Sequence, residues 1–495
     1  MNTGKAHSNR PDVLVIGAGI GGLTIAALLC NAGHSVTILE AQSRPGGCAA
    51  SFYHSGYRFE AGATVGCGFH HGGPLDILSK RLGLTWPVEP AAVSWEYRDK
   101  VHRIPLTRDR SALHAAFPRS VSFLQEQERL ADVIWRMSHN VLPWPTRGLG
   151  DLLTCAKIFA SSIPDSLLLP HFFRATVHTR LKAHGLHDDR DFVRFLDSEL
   201  LITAQTTSCK ANAIYGAVAL DLPRKGTYHV KGGVGMVSDT LCEAVKSRRG
   251  LISFRNRVRK IHHDGKRATH IETENGQRFK ARAVIANLTH ESLDEVLEGP
   301  RIPALSRSRH LSPNEPGHGA FILHLGVKDR VFRETQCLHF HLLGDGHELT
   351  EGGRIFLSLS HPEDRDAAPP ETRSVTISTH TDPLTWRRAI ESGRTHYKFL
   401  KTALTEKIID LASLHFPGLR EGILYQTAGT PLTYERYTGR RLGYVGGRPQ
   451  TSLFQSPGPE TSIENLYIVG DSIFPGQSIA GVVTGAMRLA RILIE

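Results

Sequence analysis

Three glycines at spacings of two and three residues, Gly17, Gly19 and Gly22, separate the apolar run Val13–Ile16 from the Ala- and Leu-rich stretch Leu23–Cys30. Glu40 closes the next apolar run. In a strand–turn–helix setting each glycine has its own duty. The first permits the tight turn, the second lets backbone N–H groups reach a pyrophosphate, and the third lets helix and strand pack closely, while the helix N-terminus favours the anion. Glu40 is placed to accept hydrogen bonds from a ribose diol. The chemistry is therefore the binding of a dinucleotide. A second pair, Gly46-Gly47, follows where the chain leaves the strand. A nicotinamide-only site needs no such extension, whereas a larger, permanently held flavin nucleotide gains from more close backbone. Gly232-Gly233-Val234-Gly235 lacks the fingerprint spacing, so one dinucleotide is expected, as the working cofactor.

The elements that must hold these residues read as a βαβ unit: a strand at Val13–Ile16, a helix stopped near Asn31 and Gly33, and a strand at Ser35–Leu39. Short connections imply a parallel sheet with a right-handed crossover. Residues 105–226 read as mostly helical, with breaks at Pro143, Pro145, Pro164 and Pro170. Turns at Asp264-Gly265 and Asn275-Gly276 mark hairpins. Strands are expected at Phe321–Val327, Ile355–Ser360 and Ser374–Thr379, with a helix near Lys398–Leu414. The tail repeats the opening arrangement, with an apolar strand at Leu466–Val469, then Gly470-Asp471 and a small-residue helix from Ser478. Asp471 stands at a helix start whose dipole favours electron density.

The chain has 495 residues, 40% hydrophobic and 22% charged, a globular balance with material for two or three units. The net charge of +11 suits an anionic surface, but no basic block carries interleaved aromatics, so no nucleic-acid partner is expected. Seven cysteines form no CxxC pair and leave one over, which argues against a disulfide framework or a metal cluster and for a reducing, cytoplasmic setting. Lys5 and Arg10 precede the uncharged stretch 13–33, yet five glycines interrupt it, so neither a signal peptide nor a membrane span is expected there.

Three further groups draw notice. His70 and His71, in GFHHGG, are candidates for the substrate entrance and for catalysis. His339 and His341 share one strand face with His347 nearby, but lack a third ligand of clear spacing, so no metal is expected. Residues 151–181 mix apolar clusters with Lys157, Arg174 and Arg180, which fits either a membrane-dipping surface or the wall of a substrate site.

The run GAGIGGLTIAALLCNAGHSVTILEAQSRPGGCAASF (17–52) resembles the N-terminal signature of the phytoene desaturase / carotenoid isomerase family of FAD-dependent oxidoreductases, within a larger group that includes the amine oxidases. GYRFEAGAT (56–64), KGGVGMVSDTLCEAV (231–245), NRVRKI (256–261), ARAVIAN (281–287) and NLYIVGDSIFPGQSIAGVVTGA (465–486) are similar to later blocks. The resemblance implies FAD as cofactor. Gly17, Gly19, Ile20, Gly21 and Gly22 would line the pyrophosphate, Glu40 and Ala41 the adenosine ribose, and Gly46 and Gly47 the ribityl and pyrophosphate. Ala63 and Thr64 would approach the flavin, Val258 would meet adenine, Gly470 and Asp471 the ribityl or pyrophosphate, and Ile479 the isoalloxazine carbonyl. Two positions depart from the pattern: Cys48 where many members carry Arg, and Glu60 in place of Asp.

The fold implied is α/β: a glutathione-reductase-like FAD-binding unit of Rossmann type, discontinuous over 11–104, 227–300 and 441–495. A mixed α+β substrate and membrane-contact unit would span 105–226 and 301–440. The function implied is desaturation of a carotenoid or related polyene by hydride transfer to flavin N5, with a quinone or oxygen as acceptor and peripheral membrane contact. Redox-neutral cis-trans isomerisation, or saturation by reduced FAD, is the alternative. Amine oxidation fits less well, since 440–495 offers no aromatic pair for an amine, and the intact fingerprint disfavours a non-enzymatic prenyl-lipid carrier.

Overall fold

Val13–Ile16 is apolar at every position because both its faces are covered, and it forms the centre of a parallel five-stranded sheet. Val36–Leu39 and Ala283–Ala286 flank it, with Leu251–Ser253 and Leu466–Ile468 at the edges. The register sets Ile16 beside both Leu39 and Ala286, so the three carboxyl ends open on one edge, where ligands of such sheets bind. The computed structural model describes residues 11–138, 141–300 and 317–494. Lys5, Arg10 and residues 301–316 of the expected second unit lie outside them.

The helix Ile20–Asn31 is buried from Ile20 to Cys30 and packs against Gly235–Ser247 and Ser478–Ile494. Its Ala-, Gly- and Leu-rich sequence suits this enclosure, because small residues let three helices approach one sheet face. The opposite face is covered by a four-stranded sheet, in the order Arg278–Phe279, Ala268–Thr273, Val258–His263, Leu297–Glu298.

The second unit is built on a seven-stranded sheet running Ile423–Gly429, Gly319–Lys328, Thr372–Thr381, Arg354–Leu359, His339–Leu343, Trp95–Arg98 and Arg103–Leu106. Arg394–His415 packs one face through Leu404, Ile408 and Ala412. Arg190–Ala204 supplies Phe195, Leu196 and Leu200 to a core shared with Trp95 and Tyr97. This is the expected α/β architecture, a Rossmann-type sheet with a mixed α+β partner, but strand pairing crosses the expected boundary at 104. Trp95–Arg98 adds in parallel to His339–Leu343 and pairs with Arg103–Leu106. Its Trp95 and Tyr97 side chains belong to the second core, which draws the strand away from the first unit.

Candidate active site

A cavity of ≈ 1090 Å³ lies between the two sheets and takes its lining from both. At one end is the glycine-rich loop. Gly17 leaves the strand at φ +93°, a left-handed conformation that glycine adopts freely. Gly17, Gly19, Ile20 and Gly21 line the cavity. Gly22 lies behind that lining: a Cβ there would fall 2.1 Å from the Gly17 carbonyl oxygen, which fits the helix–strand packing expected of the third glycine.

Glu40 faces the cavity with its carboxylate held by two backbone amides, Ala18 N–H at 2.6 Å and Gln42 N–H at 2.7 Å. Burial pushes this carboxyl up, against the pull of those amides. Each oxygen keeps a lone pair for a further donor, so Glu40 both ties the loop and presents acceptors. Ala41, Gly46 and Gly47 continue the lining, and Gly46 N–H donates to Ala18 O at 2.8 Å, laying the second glycine pair along the first.

Val258 lies close to Glu40, since Asn256 N–H donates to the Glu40 carbonyl oxygen at 2.8 Å, and Ala63, Thr64, Gly470, Asp471 and Ile479 also line the cavity. Thr64 Oγ1 accepts from Ser358 Oγ at 2.9 Å, and Ser358 is bonded in turn to His339 Nδ1 at 2.9 Å. Burial pushes the His339 imidazole down to about 3, so it is neutral. The expected cofactor positions other than Gly22 are thus brought to one cavity. The two histidines of GFHHGG are not. His71 is exposed beside Asp76, and His70 packs edge-on against Trp135; neither lines the cavity. Gly72 N–H donates to Asp76, which stands in the first turn of the next helix and beside His71. Among the described residues no group of three His, Cys, Asp or Glu side chains is placed to hold a metal ion.

Two residues that sequence reasoning passed over join the site. Asn287, just past a buried strand, has its amide placed to donate to Val469 O at 3.2 Å and to accept from Gly19 N–H at 3.3 Å, which fastens the fingerprint loop to the C-terminal strand. Arg440 reaches the cavity from a separate loop and donates to Asp471 Oδ2 at 2.9 Å. Its charge acts on the Cys48 thiol, which burial pushes up. A guanidinium therefore acts on position 48 through its charge although that residue is not Arg. Glu60 lies behind the site, accepting from Ser51 Oγ at 2.6 Å and Val234 N–H at 3.2 Å. A Cβ at Gly233 would fall 2.4 Å from the Glu60 carboxylate, so the longer acid is accommodated by a glycine.

The profile of the family described as flavin containing amine oxidoreductase matches residues 20–494. The chain belongs to that family. Prolycopene isomerase of Daucus carota is 28% identical over 99% of this chain and 81% of its own length. The lycopene-forming phytoene desaturase of Paracoccus is 24% identical over 99% of both chains. The structure of an oxidoreductase from Methanosarcina mazei superposes with a TM-score of 0.62 at 18% identity, over 97% of this chain and 99% of that one. Putrescine oxidase gives the same TM-score at 16% identity, over 98% and 99%; at such identities the likeness speaks for the fold.

As a member of the flavin-containing amine oxidoreductases the chain is an oxidoreductase whose cofactor is FAD, and the residues fit that group. Gly17, Gly19, Gly46 and Gly47 bring bare backbone to the cavity, the Arg440–Asp471 pair lies on the same wall, and Glu40 keeps acceptor lone pairs there for a ribose.

The 151–181 stretch serves two surfaces at once. On Leu149–Ala160 and the segment after it, Cys155, Phe159, Leu169 and Phe173 line the cavity. Leu149, Leu152, Leu153, Ile163, Leu167 and Leu168 face outward and are more than half exposed. Among the described residues no single helix is long and apolar enough to cross a membrane; this pair, bent by 113°, passes that test together.

Proposed function

We propose that this chain is an FAD-dependent enzyme acting on a carotenoid-type polyene, with geometric isomerisation as its reaction. The observation that carries the substrate class is the cavity, whose wall beyond the glycine loops is built from Trp95, Trp135, Phe159, Phe173, Phe356 and Phe474. The relatives named for a lycopene-type polyene, matched over 99% of this chain, support it. The dinucleotide, when bound, supplies reversible hydride or electron exchange with a carbon chain laid across its ring. The aromatic wall excludes water and holds an extended substrate in line.

Isomerisation is preferred to the desaturation expected from sequence on two grounds. Relatives named as isomerases match at 28%, those named as desaturases at 24%. Desaturation also needs a proton acceptor and an external oxidant, such as oxygen or a quinone. Among the carboxylates on the wall, Glu199 is already paired with His341 and Trp95, and Asp471 with Arg440. Desaturation is the second reading, favoured by the match to the Paracoccus desaturase over the full length of both chains.

We also propose that the outward leucines of 149–168 rest on a membrane surface. Their exposure, the basic Lys157 and Arg174 nearby, and the cavity wall on the same helices support a route for a lipid-soluble substrate.

Expression in cells that make acyclic carotenoids tests the reading. An unchanged mass with an altered geometric isomer means isomerase. Loss of two hydrogens with a red shift means desaturase. An unchanged pigment profile from a yellow, flavin-loaded protein would refute the carotenoid substrate.

A further inference from the structure

The chain returns from the second unit to the first through residues 431–443, and this segment borders the cavity and solvent at once. Tyr437 and Arg441 line the cavity and are more than half exposed. The helix Pro431–Thr438 starts on a capping box between Thr430 and Thr433 and ends at Gly439, φ 67°. The chain then doubles back through Leu442 at φ 57°, a conformation that a leucine keeps only where its surroundings impose it. A Cβ on Gly443, which follows at φ 66°, would fall 1.9 Å from the Pro431 carbonyl oxygen. The two ends of the segment thus touch, and what lies between them projects from a narrow base in the manner of an Ω-loop. Glu435 ties that base to the second unit, taking the Arg387 guanidinium and, at 3.1 Å, the Leu442 N–H.

The rest of the segment is bonded to the first unit. Gln42 Nε2, two residues past Glu40, donates to the Tyr437 carbonyl oxygen at 2.8 Å. Tyr434 Oη donates to Ala61 O at 2.7 Å, Arg441 N–H donates to Ser292 Oγ at 3.2 Å, and Arg440 meets Asp471. These partners stand at four separate places around the dinucleotide end of the cavity: after Val36–Leu39, after Tyr57–Glu60, on the helix His290–Val296 and after Leu466–Ile468. A connection that only carried the chain between units would need none of these bonds. A narrow base on one unit and a span fastened to the walls of the other is the build of a flap. The Gln42–Tyr437 bond is exposed, so water competes for it and this point opens most readily.

We propose that 431–443 is a flap that closes over the adenosine half of the bound FAD, and that the Gln42–Tyr437 bond is its latch, which sets how fast the cofactor enters and leaves. This rests on the FAD assignment and holds whatever substrate the cavity takes. Because the latch joins two protein groups, loosening it frees the flap in empty and loaded protein alike, so association and release quicken together and the affinity stays put. A residue that merely touched FAD would quicken release alone.

Release is timed by diluting the holoenzyme and following free-flavin fluorescence, and Kd is read from the flavin retained after dialysis at set FAD concentrations. Gln42→Met should raise the release rate about threefold or more, with Kd within about twofold of the native value. Gly443→Ala, whose Cβ forces the base apart, should raise it about tenfold with Kd again held. Trypsin cutting after Arg436 or Arg441 should quicken in both variants, because a protease needs the segment free of its bonds. Should Gln42→Met fail to fold, shown by loss of its circular dichroism, Gly443→Ala decides by the same readings. Release unchanged in both variants overturns the proposal, as does faster release with Kd weakened by the same factor. A native protein that holds no flavin overturns the FAD assignment and the flap with it.

Discussion

Arg440 Nη1 donates to Asp471 Oδ2 at 2.9 Å across a cavity-lining corner, so the carboxylate that follows the C-terminal strand is neutralised by a guanidinium from another loop. Asp471 would otherwise set a negative charge beside the phosphates of a dinucleotide. Replacement of Arg440 by Met should weaken FAD binding about tenfold or more, the equivalent of about 1.4 kcal/mol. Asp471→Asn in the same chain should recover part of that loss, as expected of two groups coupled by charge. Flavin retained per mole of protein after dialysis measures both; undiminished retention in Arg440→Met would show that the pair serves the loop alone.

Glu60 gives a prediction in pH. Burial pushes its carboxyl up to about 7 from an ordinary 4.5, against Ser51, Arg58 and Val234, which favour the ionised form. The folded value lies above the unfolded one, so the contribution to stability is complete below about pH 4.5 and is lost as pH rises through about 7. Glu60→Gln stays neutral throughout. The stability of the native protein relative to this variant should therefore fall by on the order of 3 kcal/mol between those limits and then level off. Urea unfolding at closely spaced pH values reads the difference; parallel profiles would remove burial as the cause.

The outward leucines predict a membrane phenotype separable from folding. Leu153 and Leu167 are 62% and 60% exposed, so their exchange for Glu should alter stability by no more than about 0.5 kcal/mol. Partitioning to phosphatidylglycerol liposomes should nevertheless fall at least about tenfold, since two apolar anchors are lost and two charges meet an anionic surface. Sedimentation with and without vesicles decides the matter, and unchanged partitioning would remove this face from the contact.

What could be read from the sequence is what neighbouring residues decide among themselves. Val13–Ile16, the turn at Gly17 and the helix beyond it are spelled out within twenty residues. The same holds for Leu466–Ile468 and Ser478–Ile494, and for hairpins at Asp264-Gly265 and Asn275-Gly276. What escaped depends on partners far apart in the chain. Trp95 and Glu199 meet only because the strand Trp95–Arg98 joins a sheet whose other members come mainly from beyond residue 318. A hydrogen-bonded row from Glu199 to Gln205 needs His341, Arg354 and His380 from three separate strands, and no local spacing announces it. His70 and His71 show the converse: a chemically inviting pair that the fold leaves out of the cavity lining.

The strand Leu466–Ile468 closes the parallel sheet, and Gly470, Asp471 and Ile479 follow it into the cavity. More than 440 residues separate the glycine loop at 17–22 from this counterpart. A nascent chain that has not yet reached Leu466 has half a cradle. A chain cut before Leu466 is therefore expected to be unable to retain FAD, the flavin left after dialysis being the readout.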